Sequence, residues 1–169
     1  MSTRLRPWLD LELAVSEVVL TPEEIVFRFR LSLTNSGHAP ARDIAIEALG
    51  LNAGDFQAAE LGIFYARPTP SETAVAVLGP MTANPIDHEV RMQRASVREY
   101  ESAGRRLIVP VIAFNAAYRW SGGEGRTSAA FLVGHAQTGS DRLAPLRLDT
   151  GAQRLRGLAV RLLDEHQRR

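Results

Sequence analysis

Cysteine is absent from the 169 residues, which excludes disulfides, thiolate nucleophiles and cysteine-based zinc sites. Lysine is absent as well: all 20 basic residues are arginine, and 19 acidic residues bring the formal net charge to +1. Binding nucleic acid by neutralising its backbone wants a clustered excess of positive charge. Arg105-Arg106 and Arg168-Arg169 are too short to provide one, so no nucleic-acid partner is expected. Long apolar runs are missing too. No stretch approaches the roughly 18 residues needed to cross a bilayer, and MSTRLRPWLDLEL sets acids where a signal peptide would have an uninterrupted apolar segment. Internal repeats and low-complexity tracts are absent.

What is present is an ordinary globular composition, 45% hydrophobic and 23% charged, over a length that closes one hydrophobic core. The dominant period is two. Leu9, Leu11, Leu13 and Val15 alternate with Trp8, Asp10, Glu12 and Ala14; Phe27, Phe29, Leu31 and Leu33 alternate with Arg28, Arg30, Ser32 and Thr34. Each set reads as a half-buried strand, with Thr21-Pro22-Glu23-Glu24 as the turn between them. A third strand holds Ile44 and Ile46 inward and Asp43 and Glu47 outward, and NSGHAP (Asn35 to Pro40) joins it to the second as a hairpin-like corner. TAVAVL (Thr73 to Leu78) and the Ile86/His88/Val90/Met92 segment add two more strands. RLIVPVIAFNAAYRW (Arg106 to Trp120) is apolar on both alternations, as a strand covered on both faces requires, with a bulge or a locally unpaired side expected at Pro110. SGGEG is a hairpin tip leading to RTSAAFLVG, the seventh strand.

Helical spacing is brief. Phe56, Ala59, Ile63 and Phe64 predict a short helix within Gly54 to Ala66, and Ser96 and Glu99, followed by Gly104, have the spacing of one capped helical turn. Beyond Gly139, Thr150 and Gln153 are spaced as a cap, and Leu155, Leu158, Ala159, Leu162 and Leu163 fall in one helical arc, so a C-terminal helix is expected there. Seven strands without a repeating strand-helix alternation point to a mainly β, Ig-like antiparallel sandwich. Its division would be 1–139 for the sandwich and 140–169 for an extended segment and helix packed on the same domain.

Four stretches, RPWLDLEL (Arg6 to Leu13), LTNSGHAPARDIAIEA (Leu33 to Ala48), VPVIAFNAAYRWSGGEGRTSAAFLVG (Val109 to Gly134) and RLAPLRLD (Arg142 to Asp149), together resemble an uncharacterised bacterial family. Its members carry an N-terminal hydrophobic anchor, a Pro-rich linker and then a domain of this kind. The NSG-x-AP element also resembles those of adhesion-related Ig-like modules. The resemblance implies a cell-envelope domain tethered to the inner membrane by an anchor absent from this chain, on a side of the membrane left open. It supplies no catalytic residues, and Leu146 stands where an aromatic residue is expected.

Among candidate sites, Ser36, His38 and Asp43 lack the strained elbow that exposes a nucleophilic serine; Asp43 begins the next strand, and turn chemistry accounts for Ser36 and His38. His88 and Met92, with Met81, form an imaginable soft-metal set that a half-buried histidine beside a core methionine explains equally; His135 and His166 show no ligand spacing. SGGEG lacks the helix that a phosphate-cradling loop needs after it. No catalytic, metal or cofactor site is therefore expected. Trp8, Tyr118 and Trp120 are the candidate binding residues, since aromatics at one end of a sandwich stack on sugars or anchor a protein. The expected function is a noncatalytic, structural or protein-contact domain, with a carbohydrate or small-ligand module built on that trio as the alternative.

Overall fold

The computed structural model describes residues 5–70 and 72–169. Its strands, in chain order, are β1 (Leu9–Leu20), β2 (Glu24–Asn35), β3 (Ala41–Asn52), β4 (Val75–Leu78), β5 (Ala83–Gln93), β6 (Tyr100–Ser102), β7 (Arg105–Ile108), β8 (Pro110–Trp120), β9 (Gly123–Gln137), β10 (Ser140–Ala144), β11 (Leu146–Arg147), β12 (Gln153–Leu155), β13 (Ala159–Leu162) and β14 (Gln167–Arg168), with one helix, α1 (Gln57–Tyr65). Every expected strand segment is extended, and every strand pairing is antiparallel.

Two sheets face each other. One has the order β12-β1-β2-β5 and the other β10-β9-β8-β3-β4, with β13 and β14 also paired to β9; a small sheet, β11-β7-β6, flanks them. The alternation of β2 does what the sequence asks: Phe27, Phe29, Leu31 and Leu33 are buried while Arg28 and Arg30 are exposed. In β1 a bulge between Val15 and Glu17 switches the inward parity, so Leu9 and Leu13 before it and Val18 and Leu20 after it all reach the core. The sheets meet through Phe29 packed edge to face on Phe114 at 5.2 Å, and Phe114 in turn packs on Phe131 of the neighbouring strand in its own sheet at 6.0 Å. On the outer side of the first sheet, ion pairs run strand to strand. Glu17 is met by Arg28 at 2.6 Å, Arg156 at 3.5 Å and Arg154 at 3.6 Å, and Arg30 meets Asp87 at 2.7 Å.

The apolar run from Arg106 to Trp120 divides at its proline, which cannot donate to a ladder: β7 enters the small sheet and β8 runs through the middle of the larger one. Both faces of β8 are buried from Pro110 to Tyr118. Its second face is covered by α1, whose Leu61, Phe64 and Tyr65 pack with Val111, Ala113, Ala130 and Leu163. The helix therefore exists as expected but buries a different arc. Phe56 and Ile63 are 62% and 73% exposed. The reason lies beneath the helix, where small Ala113 and Ala130 admit it. Buried Asn115 accepts from Ser128 Oγ at 2.6 Å and donates to Phe64 O at 2.8 Å, fixing its rotation.

Three local expectations are corrected. NSGHAP is a corner, but it carries the chain from one sheet to the other and not between hairpin partners. Ser96 closes a 3₁₀ turn over Arg94–Ser96 instead of capping a helix, and Gly104, at φ +76°, is the reversal between β6 and β7. The C-terminal helix is replaced by β12, β13 and β14. Gly151 and Gly157 sit at φ +81° and +68°, outside the helical region, and the strands they separate satisfy backbone groups along β1 and β9. Leu155 lies opposite Val18, and Val160 opposite Val133. An open edge offers a short segment more hydrogen bonds than one or two helical turns can make internally. Leu146, in β11, is fully buried, so a leucine fills the place where an aromatic was expected.

Candidate functional site

The NSGHAP corner is the seat of the chain's first described residues. Asn35 is fully buried and uses its whole side-chain amide. Its Oδ1 accepts from Trp8 N (3.2 Å) and Gly37 N (3.0 Å), and its Nδ2 donates to Ala39 O (2.9 Å) and Leu78 O (3.1 Å). Ser36 N donates to Trp8 O at 2.9 Å and His38 N to Arg6 O at 3.0 Å. Gly37 lies so close to this strap that a Cβ there would fall 2.2 Å from Arg6 O and 2.7 Å from Pro7 Cα. Ser36 and His38 are exposed; the serine hydroxyl points to Trp8 O at 3.4 Å, and Asp43 lies beyond the corner in β3 at φ +50°.

Held this way, Arg6 and Trp8 point to the same side, as residues two apart on an extended chain do. On that side they meet Tyr118 and Trp120, two apart at the end of β8, whose ring centroids are 6.1 Å apart. The three aromatic candidates thus converge, and Arg6 occupies the space between them. Its guanidinium carbon lies 3.5 Å from the Trp8 ring centroid and 4.5 Å from that of Trp120; Nη2 donates to Tyr118 Oη at 3.1 Å and to Arg169 O at 3.0 Å. Tyr118 is buried, and both indoles are half-buried. Arg168 covers Trp8 as well, at 4.5 Å, while pairing with Asp10 at 2.7 Å. Beyond β14, Arg169 N and Arg126 O, and Arg126 N and Arg169 O, exchange hydrogen bonds of 2.9 and 3.1 Å.

Each cation–π contact of this partly desolvated kind contributes about 1–2 kcal/mol. The arrangement is therefore a tight junction, built from two π faces, a guanidinium, a phenol and carbonyl oxygens, that joins the start of β1 to the end of the described chain. It holds a cation, and the cation it holds is the protein's own. The aromatic trio was legible in the sequence; Arg6, Asp10, Asn35 and Arg168 were not. The single available signal for them was the Arg6/Trp8 spacing, because the other contacts join residues far apart in the chain.

The remaining candidates lie elsewhere. Met92 is buried, Met81 is 73% exposed, and His88 is an exposed ring set edge-on to Phe29 at 6.1 Å. Among the described residues, no three His, Asp or Glu side chains are grouped to hold a metal ion, and no helix is long and apolar enough to cross a membrane. Perturbed titrations belong to structural pairs. The Arg147 guanidinium holds the Asp149 carboxyl down at about 2, Arg28 lowers that of Glu17, and burial pushes the Tyr65 hydroxyl up. Tyr65 Oη donates to Glu165 O at 2.5 Å. Comparison with protein-family models, with curated proteins and with solved structures found no match.

Proposed function

We propose that this chain is a noncatalytic Ig-like module of a bacterial envelope protein, tethered to the inner membrane by a segment N-terminal to it and giving structural support or a contact surface to another protein. The observation that carries this reading is the junction around Arg6. A module suspended from its N-terminal side transmits any pull through the residues that lead into its first strand. Here those residues are fastened by the Asn35 amide, by backbone bonds to the corner, and by the sandwich of Arg6 between two indoles. The motifs that resemble the envelope family, RPWLDLEL, NSGHAP and the hairpin through Tyr118 and Trp120, are the ones that build this junction. With a net charge of +1, a protein partner suits the module better than a nucleic acid.

The carbohydrate alternative rests on Trp8, Tyr118 and Trp120 offering free ring faces. Arg6 and Arg168 stand over Trp8, and Arg6 over Trp120, which weighs against it. Membrane fractionation of the protein expressed from its complete reading frame tests the proposal. The protein stays with the membrane pellet through a high-salt and carbonate wash, and protease applied from one side releases a folded fragment containing β1 to β14. Recovery in the soluble fraction, or a saturable tryptophan response to a glycan panel, contradicts it.

A further inference from the structure

We infer that the outer face of the larger sheet, beside the C-terminal end of α1, carries a binding site for a small oxyanion-bearing molecule, one whose phosphate or carboxylate groups are recognised by Arg119, Arg126 and Arg169. This inference stands apart from the envelope reading and survives its failure. A cleft of about 700 Å³ opens there, with small Ala117 among its lining residues and four arginines, Arg67, Arg119, Arg126 and Arg169, set against two acids, Asp43 and Glu124. Its size falls in the range of small-molecule sites.

These charges have separate roles. Arg67 is neutralised by Glu47 at 2.7 Å. Arg126 is held by neutral acceptors, Tyr65 O at 2.8 Å, Arg67 O at 2.7 Å and Thr69 Oγ1 at 3.3 Å. It caps the carbonyl end of α1 and keeps a fixed orientation, yet among the described residues no carboxylate lies within ion-pair distance of it. The Arg169 side chain likewise has no Asp or Glu partner among the described residues, while its main-chain oxygen accepts from Arg6 Nη2 at 3.0 Å and from Arg126 N at 3.1 Å. Arg119 has only Glu124 at 3.8 Å, with both side chains more than two-thirds exposed, a pairing that contributes little.

Two backbone observations point the same way. Arg119 lies directly opposite Arg42 across the β3–β8 ladder, and like charges in that position repel, a repulsion that the exposed Glu124 at 3.8 Å offsets only weakly. Between Arg42 and Ala45 the register shifts, and Asp43 there adopts φ +50°. Bulges of this kind re-aim side chains and recur beside binding sites; this one brings Asp43 to the rim of the cleft, where it can accept a hydrogen bond from a hydroxyl or ammonium on the same ligand. The guanidiniums of Arg119 and Arg169 are suited to the paired N–H contacts that planar or tetrahedral oxyanions accept.

The test is a titration at constant ionic strength with pyrophosphate and with malonate, read by amide resonances of Ala117, Gly125 and Arg126, with choline chloride as the control for salt. The expected result is a saturable shift confined to those amides and their neighbours, produced by one or both anions. The relative affinities assign the site to phosphate or to carboxylate. Arg119→Ala and Arg169→Ala, with circular dichroism and melting unchanged, each weaken binding about tenfold, while Arg161→Ala, exposed on β13, leaves it unaltered. Shifts that follow ionic strength alone, a dissociation constant weaker than about 10 mM for both anions, or equal binding by Arg119→Ala overturn the assignment.

Discussion

Gly37 shows how little room the junction leaves a single residue. A methyl group there would meet main-chain atoms of Arg6, Pro7 and Trp8 at 2.2–2.7 Å, and backbone cannot swing aside as a side-chain tip can. Gly37→Ala therefore costs about 2–3 kcal/mol, measured by urea denaturation, and exposes Trp8 to solvent quenchers. Asn35 is as constrained by chemistry as Gly37 is by space, because its amide both accepts twice and donates twice. Asn35→Asp is expected to be no better than Asn35→Ala, each losing about 3 kcal/mol: aspartate keeps the acceptor side but aims a buried charge at the carbonyls of Ala39 and Leu78. An aspartate variant of wild-type stability would contradict the donor assignment. For Asp149, two hydrogen bonds from Arg147, of 3.2 and 2.7 Å, hold the folded-state value at about 2, below the unfolded value of about 4. A depressed carboxylate stabilises above the unfolded value and loses its contribution as pH falls. The stability gap between wild type and Asp149→Asn is thus expected to be open above pH of about 4 and closed by about 2; a gap independent of pH argues against the pairing. At this scale the sequence was only partly readable. Trp8, Tyr118 and Trp120 stand out by type, whereas Asn35 looks like any turn asparagine until its four partners are seen.

Elements were more legible where they were long. The alternations of β1, β2 and β5 follow from runs of seven or more residues with a clear period of two, and the two-sided burial of β8 from a long run that is apolar on both alternations. The misread elements are short or shared. The spacing predicts α1, but the arc containing Phe56 and Ile63 is as apolar as the arc that packs, and what selects between them, Asn115 and the small Ala113 and Ala130, lies on strands remote in sequence, Asn115 being 51 residues from Phe64. The leucines from Leu155 to Leu163 mimic one helical stripe. In the fold they are divided, with Leu155 and Leu158 packed against the main core, Leu163 under α1 and Leu162 exposed. Strands of two to four residues carry too few positions to show a period, and their stability comes from the edges they cover, which lie far away in sequence. Gly157 decides between the two readings experimentally. In a helix, Gly157→Ala would stabilise by about 1 kcal/mol. At φ +68°, it destabilises by about 1–2 kcal/mol instead, and the sign of the change in melting temperature is the check.

Across the whole molecule, the chain covers one edge of each main sheet with its own C-terminal segments. β12 covers β1, while β10, β13 and β14 line up along one side of β9, so the last thirty residues finish both main sheets and are not an appendage to them. Covering edges in this way removes templates for unwanted strand pairing. The same closure brings Arg168 and Arg169 to the strap that carries Arg6 and Trp8, and the account rests on that meeting of the two ends of the described chain. Because both tryptophans of the protein take part, the junction reports on itself. The most direct measurement is the proton spectrum of the Arg6 side chain in the native protein. Held between two indoles, its δ-methylene and ε-NH resonances are expected to be displaced upfield by ring currents and to show nuclear Overhauser contacts to both Trp8 and Trp120. Random-coil shifts for Arg6, with no contact to either ring, would contradict the account.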